Sequence, residues 1–266
     1  MKKIVVVVLL LCGAGTLMAQ ETKSLSPKEQ KRAEKRERIS AMVRQEEEGV
    51  LAYYKQSAFG IQLRTNGYAF LYEVGRKKTP RFGNLYSIEF SEIKHDKEQR
   101  FQNAENFFGN SYIYGKLANF YQLKLGFGQQ YILGQKGNKN GVAVLGIYGG
   151  GLSVGLEKPY YLEVVNNAGE REDIKYEDDS TLFLNHGNIL GGAGFSKGLN
   201  EISFNPGAYI KAALRFDFGR YNEMVQAIEI GISADAYSKK VEMMALNPAK
   251  QFFLQGHIAF YFGRRK

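Results

Sequence analysis

The stretch of sequence from 208 to 218 reads AYIKAALRFDF, and its side chains alternate strictly in polarity. One face carries Ala208, Ile210, Ala212, Leu214, Phe216 and Phe218, and the other carries Tyr209, Lys211, Ala213, Arg215 and Asp217. Successive side chains of a β-strand point to opposite sides of the sheet, so a period of two predicts a strand with one apolar and one polar face.

The same alternation continues in both directions from this stretch and predicts eight strands. They cover residues 57–65, 68–76, 85–94, 119–133, 141–157, 205–218, 225–238 and 251–263. In the fifth segment, Gly149–Gly151 interrupts the alternation, which predicts a bulge or a bend there. Several segments exceed the usual strand of about 5 or 6 residues and match the roughly 9 to 11 of a tilted membrane-spanning strand.

The strands of two architectures alternate in polarity in this way. The two architectures differ in the surroundings of the polar face. A soluble β-sandwich turns its polar face to water, whereas a transmembrane barrel turns its apolar face to lipid and its polar face inward. Tyr and Phe gather at the strand ends, and the connections are short after the second, fourth and sixth strands but long after the third, fifth and seventh. Aromatic girdles and this alternation of connection length are typical of bacterial barrels. We therefore predict an all-β fold, a monomeric eight-stranded antiparallel transmembrane β-barrel over residues 55–266, with a short N-terminal charged helix.

The N-terminal residues differ from the strands in composition. A basic start, an apolar run from Ile4 to Cys12 and a small-residue stretch ending at Ala19 predict a secretory signal peptide over residues 1–19. Residues 20–54 are predicted to form a charged periplasmic helix or tether, and Ser26–Glu29 has the pattern of a helical capping box. A solvated tether is the favoured interpretation, and a docking helix for a periplasmic partner through residues 27–48 is the alternative.

Composition excludes several kinds of site. The 266 residues include a single cysteine, Cys12, and three histidines. A chain without its leader would have no thiol, which excludes disulfide scaffolds, cysteine zinc sites and thiolate nucleophiles. We therefore expect no metal site and no cofactor.

The leader, the eight amphipathic strands and the aromatic end Ile258–Phe262 resemble those of the small outer-membrane β-barrel proteins of Gram-negative bacteria. The Tyr-rich strands without Trp are similar to those of the Bacteroidota, which include the PorT-like barrels. The resemblance implies location in the cell outer membrane, contact with outer-membrane lipids, and insertion by the outer-membrane assembly machinery, with Phe260 and Phe262 as the insertion signal. This family includes passive scaffolds, adhesins, lipid-modifying enzymes and secretion components, so the fold does not select a function.

Ten polar residues on the alternating strands are candidates for the barrel interior. They are Arg64, Glu73, Glu89, Lys124, Lys211, Arg215, Asp217, Glu229, Asp235 and His257. Acidic and basic groups are nearly balanced in this set, and an eight-stranded barrel has room for side chains but little else. The favoured interpretation is a lumen closed by a network of paired charges, and the alternative is a small ion pathway.

One motif points to catalysis. Residues 151–155 read GLSVG and match the G-x-S-x-G pattern of hydrolases, in which Ser153 would need a histidine base such as His186 or His257. That chemistry requires a sharp turn from a strand into a helix, whereas this motif lies within a glycine-rich strand. We expect no enzymatic activity, and a lipid-modifying hydrolase is the least favoured alternative.

The longest predicted loop contains two acidic clusters, Glu170–Asp173 and Glu177–Asp179. Such clusters are usually solvated surface. The alternative is a divalent cation on oxygen ligands that bridges to lipopolysaccharide phosphates.

The short-turn side is basic, with Arg76, Lys77, Lys78, Arg81, Lys136 and Lys139 in two turns. Because an exported protein does not meet nucleic acid, we expect no nucleic-acid partner, and phospholipid head groups or a periplasmic protein are the expected contacts. Together these features predict a structural role, or an accessory role in an envelope or secretion assembly.

Overall fold

The computed structural model describes residues 53–102, 110–138, 140–221 and 223–266, and several helical residues further towards the N-terminus. The latter are Glu29, Lys31, Arg32, Glu34, Arg36, Glu37 and Ser40. The predicted leader, residues 1–19, and most of the predicted tether, residues 20–54, lie outside the described residues. In the part of the chain that the structure describes, no helix has the length and hydropathy needed to cross a bilayer.

Strands are the main secondary structure of the described residues. The strands are β1 (Lys55–Arg64), β2 (Gly67–Lys77), β3 (Phe82–Ile93), β4 (Arg100–Phe101), β5 (Tyr112–Ile113), β6 (Ala118–Gly134), β7 (Ala143–Pro159), β8 (Leu162–Val165), β9 (Arg171–Ile174), β10 (Ile189–Gly192), β11 (Ser203–Asp217), β12 (Met224–Val241) and β13 (Lys250–Arg265). Short helical turns occur at Ser180–Phe183, His186–Asn188 and Leu199–Glu201.

Eight of these strands close into one barrel in the order β1-β2-β3-β6-β7-β11-β12-β13. Each strand pairs antiparallel with its neighbours along the chain, and β13 returns to pair with β1 from Gln56↔Arg265 to Arg64↔His257. Closure gives every strand two hydrogen-bonded neighbours and leaves no open sheet edge. The predicted eight-stranded antiparallel barrel is confirmed.

The two ends of the barrel differ in the length of their connections. The turn end has the connections 78–81, 135–142 and 218–223, together with the start of β1 and the end of β13. The loop end has the tight hairpin at 65–66, the long connections 94–117 and 160–202, and the connection 242–249. The predicted long connections are present at 94–117 and 160–202, whereas 242–249 has the same length as the turn-end connection 135–142 because β12 continues to Val241.

The side chains of the barrel are arranged in the opposite way to those of a water-soluble protein. Leu152, Ile210 and Leu254 are 70%, 68% and 76% exposed on the outside, whereas Asp217 and Glu229 are fully buried inside. The outward apolar side chains form an exterior belt that includes Phe59, Ile61, Leu63, Phe70, Tyr72, Ile88, Phe90, Leu123, Leu125, Phe127, Leu152, Ile210, Leu214, Ile230, Ile232, Leu254, Ile258 and Phe260. A soluble monomer rarely exposes so much contiguous apolar surface.

Glycines in the middle of the barrel make room for one large side chain. The bulge expected at Gly149–Gly151 is absent, because β7 pairs with β11 in unbroken register, and the irregularity lies instead between Ile132 and Gly134. A β-carbon at Gly126 would collide with the hydroxyl of Tyr209, which lies opposite Gly151 in the register. The glycines therefore accommodate an aromatic ring within a narrow lumen.

The connection 160–202 is a small folded unit. Strands β8, β9 and β10 form a three-stranded sheet in the order β10-β8-β9. Its buried core consists of Tyr112, Leu162, Val164, Ile174, Phe183 and Ile189. The acidic residues Glu170, Glu172 and Glu177–Asp179 are exposed, as predicted for a solvated surface, but the apolar side chains of this segment form a core that a period-two pattern does not reveal.

We expect Phe183→Ala to open this folded unit without opening the barrel. Phe183 is fully buried in the core of the loop unit, and removing a buried Phe side chain costs about 3 to 5 kcal/mol. Limited proteolysis should cut the variant within residues 160–202 at protease concentrations that leave the unmodified protein intact. Leu199→Ala, at a side chain that is 43% exposed in the same connection, is the matched control. Equal resistance of both variants would contradict the role given to this core.

Candidate functional site

All ten residues predicted for the lumen point into it. Nine are at most 7% exposed, and the tenth, Lys211, has a side chain that is 16% exposed. The structure distributes them over three groups of hydrogen bonds, the Arg64 network, the Arg215 network and the Asp217 network. Burying a charged group is costly unless the group is paired with an opposite charge and hydrogen-bonded.

The Arg215 network occupies the middle of the lumen. The Arg215 guanidinium donates to both oxygens of Glu73, at 2.7 and 2.8 Å, and to Glu229 Oε2 at 3.0 Å through Nε and 2.7 Å through Nη2. Lys211 Nζ lies 2.6 Å from Glu229 Oε1, and His257 Nε2 lies 3.2 Å from the same oxygen. Two carboxylates therefore meet a guanidinium, an ammonium and an imidazole in one group of hydrogen bonds.

A phenol ring completes this network. Tyr261 Oη donates to Glu229 Oε1 at 3.3 Å, and the Arg215 guanidinium carbon lies 3.8 Å from the Tyr261 ring centroid. Stacking on an aromatic face fixes the guanidinium plane while its edges bind the carboxylates. Arg215 is thus held by β2, β12 and β13 at once.

The Arg64 network lies nearer the loop end. Arg64 Nη1 donates to Glu89 Oε1 at 3.2 Å, and Arg64 Nη2 lies 3.4 Å from Asp235 Oδ2. Lys124 Nζ lies 2.6 Å from Asp235 Oδ1 and 3.7 Å from Glu89 Oε1. Two cations again meet two anions. Neutral side chains surround the four charges with further hydrogen bonds, and they are Ser91, Gln122, Ser153, Tyr237 and Gln255.

The Asp217 network closes the turn end. Asp217 bonds to Arg265 and lies 3.5 Å from Lys136 Nζ. Lys136 also donates to the carbonyl of Gly219. Tyr53 packs beside this group, since its hydroxyl accepts from Gln130 at 2.7 Å and its ring lies 4.7 Å from the Arg265 guanidinium.

An apolar cluster closes the lumen at the loop end. It comprises Ile93, Phe120, Tyr237, Val241, Met243, Met244 and Phe253. The rings of Phe120 and Tyr237 meet edge to face with centroids 5.2 Å apart, and Phe120 stacks on Phe253 at 5.6 Å. Connections 94–117 and 242–249 are tied together above it by the bond from Leu117 N to the Met243 carbonyl at 2.9 Å. The three networks and this cluster therefore occupy the lumen at its turn end, middle and loop end, and a small cavity of about 30 Å³ lies beside Tyr209 and Lys211.

The predicted basic turn residues divide into two kinds. Arg76, Lys78 and Arg81 are exposed at the turn end, and Lys77 is half-buried with its ammonium 4.8 Å from the Tyr53 ring centroid. Lys136 differs from the expectation, because its side chain turns inward to Asp217 and is 5% exposed. Lys139 lies outside the described residues.

The proposed insertion residues lie on the outside of the closing strand. Phe260 and Phe262 on β13 are 40% and 55% exposed in the exterior belt. They are opposite Ile61 and Phe59 of β1, where the barrel closes.

The G-x-S-x-G serine and the histidines have separate partners. Ser153 is 1% exposed and lies inside the barrel, where its Oγ is 2.7 Å from the hydroxyl of Tyr237. His257 is engaged by Glu229, while His186 Nδ1 lies 3.0 Å from the Tyr112 hydroxyl in the loop unit. The motif lies in the interior of β7, in agreement with its expected position within a strand.

Three residues of the acidic clusters in the loop unit contact protein groups. Asp179 caps the helical turn Ser180–Phe183, Asp178 accepts from Lys175 N at 3.0 Å, and Asp173 lies 2.7 Å from Lys197 Nζ. Among the described residues, no three His, Cys, Asp or Glu side chains come together in a way that would hold a metal ion. The hydrogen bond of 2.7 Å from Lys175 to Glu201 raises the pKa of Lys175 and lowers the pKa of Glu201.

The lumen also contains side chains that were not predicted to lie in it. They are Tyr53, Gln56, Gln122, Gln130, Lys136, Tyr261 and Arg265. A signal existed for Arg265 and Tyr261, since both continue the inward parity of His257 along β13. Lys136 belongs to a turn, where alternation gives no information about side-chain direction.

No family model and no curated protein matches the chain. Among solved structures, the chain is similar to the attachment invasion locus protein Ail of Yersinia pestis, in complex with the heparin analogue sucrose octasulfate, with a TM-score of 0.34 and 10% identity over 80% of this chain and 95% of that one. It is also similar to Neisserial surface protein A, with a TM-score of 0.34 and 10% identity over 80% of this chain and 97% of that one. A third similar structure is the N-terminal β-barrel domain of Pseudomonas aeruginosa OprF, with a TM-score of 0.32 and 10% identity over 78% of this chain and 96% of that one. These similarities are too distant to assign a function, and the strand pairing itself places the chain among the closed eight-stranded antiparallel β-barrels.

Proposed function

We propose that this chain is an integral outer-membrane β-barrel protein, with a structural or accessory role in an envelope or secretion assembly. The exterior belt carries this proposal, because contiguous exposed apolar side chains surround an interior of charged ones. In water that arrangement would leave the apolar side chains solvated, whereas in a bilayer it covers them with lipid. The closed sheet also satisfies its own backbone hydrogen bonds, which a spanning structure must do.

The state of the lumen favours a scaffold over the alternative of a small ion pathway. Three charge networks and an apolar cluster fill the interior of the described barrel. Glu73, Glu229 and Arg215 cross it at its middle with hydrogen bonds of 2.7 to 3.0 Å. An ion would have to break these bonds in order to pass. The proposal includes no catalytic step, since Ser153 bonds to Tyr237 and both histidines that we considered as its base are engaged elsewhere.

We expect the purified protein to show no single-channel conductance in planar lipid bilayers. The physical reason is that hydrogen-bonded charges cross the middle of the lumen, where Arg215 donates to Glu73 and Glu229. A reproducible conductance that changes on Glu229→Gln would favour the ion pathway. A conductance that is the same in Glu229→Gln and in the unmodified protein would point to a contaminating pore.

The accessory role rests on the polar surfaces at the turn end. Arg76, Lys78 and Arg81 are exposed there and present positive charge to phospholipid head groups or to a periplasmic protein. The segment 27–48 is the second proposed contact for such a partner. We also propose that the outer-membrane assembly machinery inserts the chain. A relation to the PorT-like barrels of the Bacteroidota is part of the same proposal.

Site-specific photocrosslinking in intact cells tests this role. A crosslinker at position 78 or within 27–48 should capture the same defined protein, and a crosslinker at Leu254, in the exterior belt, is the control. Capture of the assembly machinery alone would reduce the proposal to a passive scaffold.

A further inference from the structure

A polar cavity of about 600 Å³ lies at the loop end, apart from the lumen networks. Residues within 92–100, 110–121, 158–161 and 192–195 line it. Its size lies within the range of small-molecule sites, roughly 300 to 1,000 Å³. Nothing in the proposed structural role requires such a cavity.

Lys158 lines this cavity and lacks an opposite charge. The residue is 2% exposed, and its ammonium donates to the Phe195 carbonyl and lies 4.4 Å from the Phe195 ring centroid. Among the carboxylates that the structure describes, none lies within ion-pair distance of Lys158. A buried cation that has only neutral partners carries an uncompensated desolvation cost, which an anion would offset.

A second buried ammonium lines the same cavity. Lys116 is also 2% exposed, and its Nζ lies 3.0 Å from Glu98 Oε2. The bond from Tyr160 N to the Leu117 carbonyl, 2.8 Å long, holds the two lysine-bearing segments side by side. Glu98 neutralises Lys116, so the surplus charge belongs to Lys158.

The remaining walls supply further positive charge and an apolar surface. The cavity is lined by the basic residues Lys94, Arg100, Lys116 and Lys158 and by the acidic residues Glu92 and Glu98. Tyr160 and Phe195 line it as well, with Phe195 69% exposed and the Tyr160 hydroxyl accepting from Ile113 N at 3.1 Å. Burial raises the pKa of Tyr160, so this phenol stays neutral and adds no negative charge. Excess cations beside aromatic walls fit an anionic group attached to an organic body.

We propose that this cavity binds a phosphate monoester of a small molecule, with the phosphate on Lys158 and Lys116 and the organic part against Phe195 and Tyr160. The ester reaches the cavity either as a soluble metabolite or as a lipid head group of the surrounding membrane. Both sources present the same chemistry to the two lysines.

Calorimetric titration of the full chain in phosphatidylcholine nanodiscs tests the proposal, with glucose 6-phosphate as the probe and glucose as its uncharged counterpart. We expect binding of the phosphate ester and none of glucose. Lys158→Met should weaken binding by about tenfold or more, because a charge-assisted hydrogen bond is lost. Lys240→Met removes an equal charge at an exposed position of β12 outside the cavity and should leave binding within about twofold.

A second variant separates ligand binding from folding of the loops. Lys158→Arg keeps the charge and should retain binding better than Lys158→Met, while limited proteolysis reports whether residues 160–202 remain folded in both. If Lys158→Met and Lys240→Met weaken binding equally, the effect is general surface charge and the proposal fails. The proposal also fails if glucose 6-phosphate does not bind and the purified protein does not retain the phosphorylated lipid described below.

Nanodiscs that also contain monophosphoryl lipid A distinguish the two sources. Unchanged binding of glucose 6-phosphate in their presence supports a soluble ligand. Competition by the lipid, or retention of the lipid by the purified protein but not by its Lys158→Met variant, supports a head group. If neither the soluble ester nor the lipid binds, the cavity is not a phosphate site.

Discussion

Replacing Arg215 with methionine is expected to destabilise the barrel by about 3 to 5 kcal/mol, the cost of breaking a buried ion pair by removing one partner. Arg215 is 2% exposed and donates four hydrogen bonds to Glu73 and Glu229. Its removal leaves Glu73 buried without its bidentate partner, although Lys211 still neutralises Glu229. Urea titration in lipid vesicles, followed by the gel shift between folded and unfolded protein, measures the change.

Two further variants make this result specific. Arg220→Met removes the same kind of side chain from an exposed turn and should change stability by no more than about 0.5 kcal/mol. Adding Glu73→Gln to Arg215→Met removes the carboxylate that is left without its partner. The double variant should therefore recover part of the stability that Arg215→Met loses. If Arg215→Met is no more destabilising than Arg220→Met, the charge network does not hold the lumen together.

Ile230→Arg is the second large effect that we expect. Ile230 is 51% exposed in the exterior belt, between Ile228 and Ile232 on the same face of β12. An arginine on the lipid face near the bilayer midplane costs about 2 to 4 kcal/mol, whereas a surface arginine in water costs almost nothing. The substitution therefore reports what surrounds the belt.

Gln226→Arg is the matched control for this substitution. Gln226 lies on the same outward face of β12 but nearer the turn end, where an interfacial arginine costs roughly 0 to 1 kcal/mol. Unfolding both variants in lipid vesicles should rank Ile230→Arg as the less stable. Equal stability of the two would contradict a lipid environment for Ile230.

Much of this fold was predictable because β-strands reveal their faces through a period of two. The alternation in residues 208–218 places Lys211, Arg215 and Asp217 on one side of β11, and the structure shows that side facing inward. Cross-barrel contacts were not predictable in the same way. Arg215 and Glu73 are 142 positions apart in sequence, and alternation specifies the face of a residue but not its partner.

The loop end shows where sequence patterns fail. Val164, Ile174 and Phe183 belong to strands of four residues and a single helical turn, which are too short for a periodic signal. Lys158 illustrates the same limit for the cavity. It lies at the end of β7, and its surroundings include Phe195 and Lys116, which are far from it in sequence. The site therefore follows from tertiary packing of the connections.

We propose that this barrel, with its apolar side chains outside and its charged side chains inside, resides in the outer membrane. Envelope fractionation combined with gel migration of boiled and unboiled samples tests it most directly. We predict that the protein sediments with the outer membrane and migrates differently before and after boiling. Recovery as a soluble periplasmic protein whose migration does not depend on boiling would contradict the account.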